Sequence, residues 1–171
     1  MRRVVAALLL CGGIACAQSP DVISGGAKAF YSIVKGNVLK AADEMPEANY
    51  SFKPTPDIRS FGELVGHIAD AQYYFCGTVA GDAPPTTKVE KTKTSKADLT
   101  QALQSAFAYC DKVYDGMTDA KASETVKFLG GNQAKVSVLF FNAGHDYEHY
   151  GNMVTYMRLK GLVPPSSAPK N

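Results

Sequence analysis

Apolar residues recur at three- and four-residue steps in four stretches of the chain, and each stretch predicts one amphipathic helix. The first runs from about Asp21 to Met45, with Val22, Ala29, Phe30, Ile33, Val34, Val38 and Ala41 on its apolar side. Pro46, Pro54 and Pro56 then interrupt the pattern. A second helix is predicted to open at Ser60, an apt N-cap with Glu63 as its capping-box partner, and to run through Leu64, Val65, Ile68, Ala71 and Phe75 to about Val79. Ser95 with Asp98 opens a third, which carries Leu99, Leu103, Phe107, Cys110 and Val113 and ends near Gly116. The fourth spans Ser137 to Lys160 and is stopped by Gly161 and then Pro164-Pro165.

Between these helices the pattern fades. Gly81 to Thr94 holds Pro84-Pro85 and Lys88, Lys91 and Lys93 with almost no apolar residue, and is expected to be a solvated crossover loop. From Thr118 to Lys135 the periodicity is ambiguous, with Thr125 to Leu129 a short strand-like piece ended by Gly130-Gly131. The tail, residues 166–171, is expected to fray. Four helices of about twenty residues with one long crossover define an all-α four-helix bundle. At 171 residues the chain is large enough for one such domain to bury its own core, here expected over residues 18–165.

The N-terminus changes the compartment. Arg2-Arg3, the apolar run from Val4 to Ala15, and Ala15-Cys16-Ala17 follow the charged, apolar and A-x-A order of a secretory signal peptide, residues 1–17, with the mature chain beginning at Gln18. The apolar run falls short of the roughly 20 residues that span a bilayer, so no stable membrane span is expected. Lipid attachment at Cys16 is the weaker alternative, because glycine occupies the first position of Gly13-Ile14-Ala15-Cys16. An exported protein, periplasmic or secreted, is the expectation. Cleavage takes two arginines from the eighteen basic residues and leaves sixteen against sixteen acidic ones. Such a balance gives no reason to expect a nucleic-acid or anionic-membrane partner, and it is compatible with a homodimer. Cys76 and Cys110 remain as a mature pair where disulfides persist, and a bridge between them stays open.

The chain has three histidines. His145 and His149 lie one turn apart on one face of the fourth helix, the spacing at which two imidazoles converge on one ion. Phe141, Asn142, Asn152 and Met153, three and four residues away, are apolar or amide side chains, so that face is expected to look inward. His67 lies on the buried stripe of the second helix. Taken alone it reads as a core residue with one hydrogen bond; with the pair, a shared ligand role for all three becomes the better reading. Three neutral imidazoles suit zinc or nickel, with iron, copper or manganese as further candidates, and leave a coordination position for water or substrate. Without a carboxylate ligand the ion would keep its charge and bring bound water to a pKa of roughly 7. Asp70, Asp146 and Glu148 are close enough in sequence to serve as hydrogen-bond partners of the ligand rings. Metal binding is expected to weaken as pH falls through the imidazole range near 6.5. The run His145 to His149 also reads as H-x-x-E-H, yet only 22 residues follow, too few for the downstream ligand that peptidase signature needs, and Asp146 breaks the H-E-x-x-H form.

Phe52-Lys53-Pro54, Ser60-Phe61-Gly62-Glu63-Leu64-Val65-Gly66-His67-Ile68, His145-Asp146-Tyr147-Glu148-His149-Tyr150-Gly151, Arg158-Leu159-Lys160-Gly161 and Pro164-Pro165, in that order, resemble the DinB/YfiT-like family. The resemblance covers essentially the whole mature chain. It implies a four-helix bundle with a divalent ion on His67, His145 and His149 and water completing the coordination. Some members are thiol-dependent transferases or isomerases. The chain departs from the family at Phe52, where members often carry tryptophan, and an exported protein would not meet the cytosolic thiol pool.

The function expected from these residues is that of a metal-dependent enzyme, a hydrolase or thiol-dependent transferase, acting on a small-molecule substrate in the bundle beside the ion. Tyr73, Tyr147 and Tyr150 are candidates for the pocket wall. The rival is a non-catalytic exported bundle that holds metal or a ligand, since no unmistakable general base accompanies the histidines.

Overall fold

A computed structural model of the chain describes residues 21–83 and 87–169; the proposed signal peptide, residues 1–17, and Cys16 lie outside them. Its elements are α1 (Val22–Glu44), α2 (Phe61–Ala80), α3 (Val89–Thr92), α4 (Lys96–Asp115), α5 (Asp119–Ala122), β1 (Thr125–Phe128), β2 (Gly131–Ala134) and α6 (Lys135–Leu159). Four of these are the long amphipathic helices of an all-α bundle. Helix α1 packs on α6, α6 on α2, α2 on α4 and α4 on α1. The ring closes with α2 and α6 as neighbours. Among the described residues no helix is long and apolar enough to cross a membrane.

Local chemistry sets the helix ends. Ser60 accepts from the Glu63 amide at 3.1 Å while the Glu63 carboxylate accepts from the Ser60 amide at 2.7 Å, a complete capping box at the start of α2. Helix α4 opens on Ser95, which accepts from Asp98 N. Gly81 and Gly161, after α2 and α6, adopt the left-handed conformation that ends a helix cheaply only in glycine.

The interior is filled by Val34, Val38, Phe61, Ile68, Leu103, Phe107, Leu139 and Met153, all buried. Two tyrosines stack in it at 3.9 Å, Tyr31 and Tyr114, and each hydroxyl donates to a main-chain carbonyl, Phe107 O and Leu139 O respectively. Cys76 of α2 and Cys110 of α4 form a fully buried disulfide with Cα atoms 5.4 Å apart, inside the range a bridge requires. Beside it a polar chain crosses the core: Asn142 Nδ2 donates to Gln72 Oε1 at 3.1 Å, and Gln72 Nε2 donates to Asp146 Oδ1 at 2.7 Å. These bonds tie α2 to α6.

Three stretches differ from the sequence reading. The crossover is not all loop, because its one large apolar residue, Val89, is buried and anchors the single turn of α3 against α2. The ambiguous stretch folds as α5 and an antiparallel hairpin that pairs Thr125 with Ala134 and Phe128 with Gly131. Leu129 (φ 48°) and Gly130 (φ 81°) form its left-handed two-residue turn, so Gly131 begins β2 rather than ending β1. The tail does not fray at Ser166. Pro165–Ser167 is a 3-10 turn, Tyr150 donates to Ser166 Oγ at 2.9 Å, and Arg158 donates to Ser167 Oγ at 3.1 Å.

Candidate metal centre

Helices α2 and α6 meet with His67 on one and His145 and His149 on the other. The three Nε2 atoms turn toward one another: His145 Nε2 is 3.2 Å from His67 Nε2 and 2.9 Å from His149 Nε2. Neighbouring rings pack against them. Phe75 of α2 packs edge-on against His145 with centroids 5.3 Å apart, and the His145 and His149 rings stand nearly perpendicular at 4.2 Å. His149 is buried, and His67 and His145 are half-buried. Burial is the main reason all three lie below the usual imidazole range, His145 at about 4 and His149 at about 3; Arg59 adds to it at all three and the neighbouring rings at His145 and His149, while Glu90 opposes it at His67. The rings are therefore neutral at pH 7, the form in which imidazole offers a lone pair, and the protonation range lies below the 6.5 expected from the sequence.

This trio fits a divalent cation. Nitrogens about 2.0–2.1 Å from one tetrahedral ion sit roughly 3.3 Å from each other, close to the spacings here. When each ring carries its proton on Nδ1, three Nε2 lone pairs face one another, an arrangement that a bound cation satisfies. The ligand atoms lie within 4.8 Å of one another, close enough to share one ion.

The carboxylate on the ligand rings is one the sequence reading missed. Glu90 of α3 lies with Oε2 3.2 Å from His67 Nδ1, and its Oε1 accepts from Arg59 Nε at 3.1 Å. Burial pushes this carboxyl up, but the Arg59 bond and charge, with His67 and Lys91 beside them, outweigh burial and hold it below the usual carboxylate range. The carboxylates singled out from sequence do other things. Asp70 accepts from Thr87 Oγ1, Val89 N and Glu90 N and so fastens α3. Asp146 faces the core, where burial raises its pKa well above the usual value, against the opposing bond from Gln72. Glu148 is exposed on the rim. The Nδ1 atoms of His145 and His149 are buried with no hydrogen-bond partner among the described residues.

A cavity of about 570 Å³ opens onto His149. Its wall includes Lys53, Arg59, Glu63, Glu90, Lys91, Glu148, Asn152 and Tyr156. Its aromatic is Tyr156, whose hydroxyl donates to Arg59 O at 2.8 Å. Phe52 packs edge-on against that ring at 6.0 Å. The tyrosines expected in the wall lie elsewhere: Tyr73 against Tyr109, Tyr147 stacked on Phe30, and Tyr150 buried on Ser166.

A four-helix bundle that brings three neutral imidazoles together from two neighbouring helices defines a class of protein able to hold one metal ion in its interior. The chain belongs to the DinB superfamily, whose sequence pattern matches residues 32–153 and so takes in all three histidines. It is 27% identical over 123 residues to the uncharacterized protein YjoA of Bacillus subtilis strain 168, a match covering 70% of this chain and 79% of that one. A DinB-like protein from Bacillus cereus ATCC 10987 superposes with a TM-score of 0.73 at 20% identity, over 82% of this chain and 95% of the other. The mycothiol-dependent maleylpyruvate isomerase superposes with a TM-score of 0.65 at 11% identity. That match takes in 76% of this chain and spans 60% of the isomerase. At these identities the structural likeness is one of fold.

Proposed function

We propose that the protein is a metal-dependent enzyme, a hydrolase or thiol-dependent transferase, that holds one divalent ion on His67, His145 and His149 and acts on a small molecule. The observation that carries this reading is the convergence of three ring nitrogens on one point beside an open cavity. Zinc or nickel suits three neutral imidazoles best, with iron, copper and manganese as further candidates. When bound, such an ion supplies Lewis-acid activation of water or of a substrate atom at neutral pH.

The chain's own residues supply the rest. Arg59, Lys91 and Asn152 present donors along the cavity for a polar substrate. Glu63 and Glu90 are engaged, the first with Ser60 and Lys53 and the second with His67 and Arg59. Asp57 and Glu148 on the cavity wall have no hydrogen-bond or ion-pair partner among the described residues; Glu148, next to His149 in the chain, is the one we place as proton acceptor beside the ligand rings. The fold shared with a mycothiol-dependent isomerase supports the thiol-transfer arm; the signal-peptide pattern, which removes the protein from the cytosolic thiol pool, supports hydrolysis.

Elemental analysis after loading tests the centre. One ion per chain is expected, and alanine at His67, His145 or His149 should remove most of it. Metal-loaded protein should then turn over members of a panel of esters, amides and thiol-transfer substrates, with Glu148→Gln slowing the reaction and leaving the ion in place. Full metal occupancy with no turnover across the panel would favour a non-catalytic metal- or ligand-binding bundle.

A further inference from the structure

Glu90 reaches His67 from the least regular part of the chain, and several independent features put it there. The turn that carries it, α3, is four residues long and lies in a run of lysines and threonines. Isolated turns of this length do not form by themselves. Asp70, three residues beyond His67 on α2, accepts from Val89 N at 2.8 Å and Glu90 N at 3.0 Å and so fixes the start of α3. Gly66, immediately before His67, is what lets α3 approach: a Cβ there would stand 2.7 Å from Glu90 Cα and 2.8 Å from Glu90 N. Lys88, the residue that turns the chain into α3, sits at φ 45°, a left-handed conformation that lysine holds only where its surroundings impose it. The carboxylate itself is 14% exposed and gripped on its other oxygen by Arg59.

All of this structure delivers one carboxylate to one ring nitrogen. We infer that Glu90 is the positioning residue of the metal centre: by accepting from His67 Nδ1–H it fixes the tautomer in which His67 Nε2 is bare and aimed at His145 and His149. Gly66, Asp70 and Arg59 in turn fix Glu90. A carboxylate behind a ligand imidazole makes the ring a better donor and holds its orientation, and its loss typically weakens metal binding 10- to 100-fold. The inference rests on the three-histidine reading of the site.

Zinc dissociation constants, measured at pH 7.5 by competition with a chromophoric chelator, test it in wild type, Glu90→Ala, Glu90→Gln and Gly66→Ala, with circular dichroism of each apo protein as the fold control. Glu90→Ala should weaken zinc by roughly 10- to 100-fold and shift the visible bands of the cobalt-substituted protein. Glu90→Gln keeps an oxygen that can accept from Nδ1–H, so it should recover part of both. Gly66→Ala displaces Glu90 without altering the carboxylate. It should weaken zinc in the wild-type background and add little in the Glu90→Ala background, because both changes remove the same contact. Wild type that binds one zinc while folded Glu90→Ala binds it within twofold, with unchanged cobalt bands, would overturn this inference and leave the three-histidine centre standing. Wild type that binds no zinc would overturn both.

Discussion

Opening the Cys76–Cys110 bridge should cost the fold a large share of its stability. The bridge joins residues 34 apart in sequence and is fully buried. In the chain-entropy account a cross-link stabilises by restricting the unfolded ensemble. A loop of 34 residues then contributes about 4 kcal/mol at 25 °C. Reduction removes that restriction and adds no atom to the core except two thiol hydrogens, since free cysteine packs as a small hydrophobe. For a domain of this size each kcal/mol moves the melting temperature by roughly 2–4 °C, so a drop of about 8–15 °C is expected. Because the sulfurs are inaccessible in the native state, the protein should be reduced while unfolded, refolded under reductant and chelator, and melted beside an oxidised sample. Peptide mapping would confirm free thiols at Cys76 and Cys110. Confirmed reduction with a melting temperature within about 2 °C of the oxidised protein would refute the reasoning, since the unfolded chain would then gain little freedom on losing the cross-link.

Zinc affinity should begin to fall only below pH 6.5, where His67, lowered by burial and Arg59, starts to protonate, and should be lost toward about 4 and 3, where His145 and His149 follow. The sign follows from the native state holding fewer protons than the unfolded one: the neutral rings favour folding above 6.5, and the metal-free protein loses that contribution as pH falls toward 4. A loss of zinc centred on 6.5 would count against it. Asp146→Asn should leave the metal-free fold as stable as wild type or more so, because the amide can keep the Gln72 bond without burying charge. With a raised folded pKa the Asp146 carboxyl favours folding most below its ordinary 3.8 and progressively less above it, so the advantage of asparagine should grow from pH 4 to pH 8 in chemical denaturation; a fixed difference across that range would contradict the assignment. Removing the cap with Ser60→Ala should cost about 1 kcal/mol in the same assay, and no measurable loss would show that the capping box is dispensable. For export, the intact mass of natively produced protein should begin at Gln18; retention of Met1 would refute the signal-peptide reading, and a lipidated Cys16 would replace it.

The four long helices are legible in the sequence because local chemistry bounds them. Ser60 with Glu63, Ser95, Gly81 and Gly161 each satisfy or terminate a helix end with groups only a few residues away. Helix α3 is not legible, because it exists through tertiary bonds: without Asp70 and the space above Gly66 its four residues read as solvated chain. That His145 and His149 share a face followed from their spacing, and that His67 faces inward followed from the apolar stripe around it. Their carboxylate partner did not, since Glu90 is 23 residues from His67. The available signals were small: a glycine next to a helical histidine, and a lone valine among lysines. Asp146 misled because adjacent helical residues point about 100° apart, so the neighbour of an inward ligand can face another part of the core.

The disulfide is nested inside the span between the histidine-bearing helices. His67 and His145 are 78 residues apart, and Cys76 and Cys110 both fall between them. An ion held on the histidines would be a second closure of the stretch that the sulfur bridge already closes, and the inner one shortens the outer. With the bridge formed, the path from His67 to His145 falls from 78 residues to 78 less 34, or 44, which lowers the entropy that the outer closure can remove by about 0.5 kcal/mol. For an ion that stayed on the histidines in the unfolded chain, the two restraints would therefore be partly redundant there although they are compatible in the native state. An oxidised chain, already restrained by the bridge, would tolerate the ion's removal more easily than a reduced one.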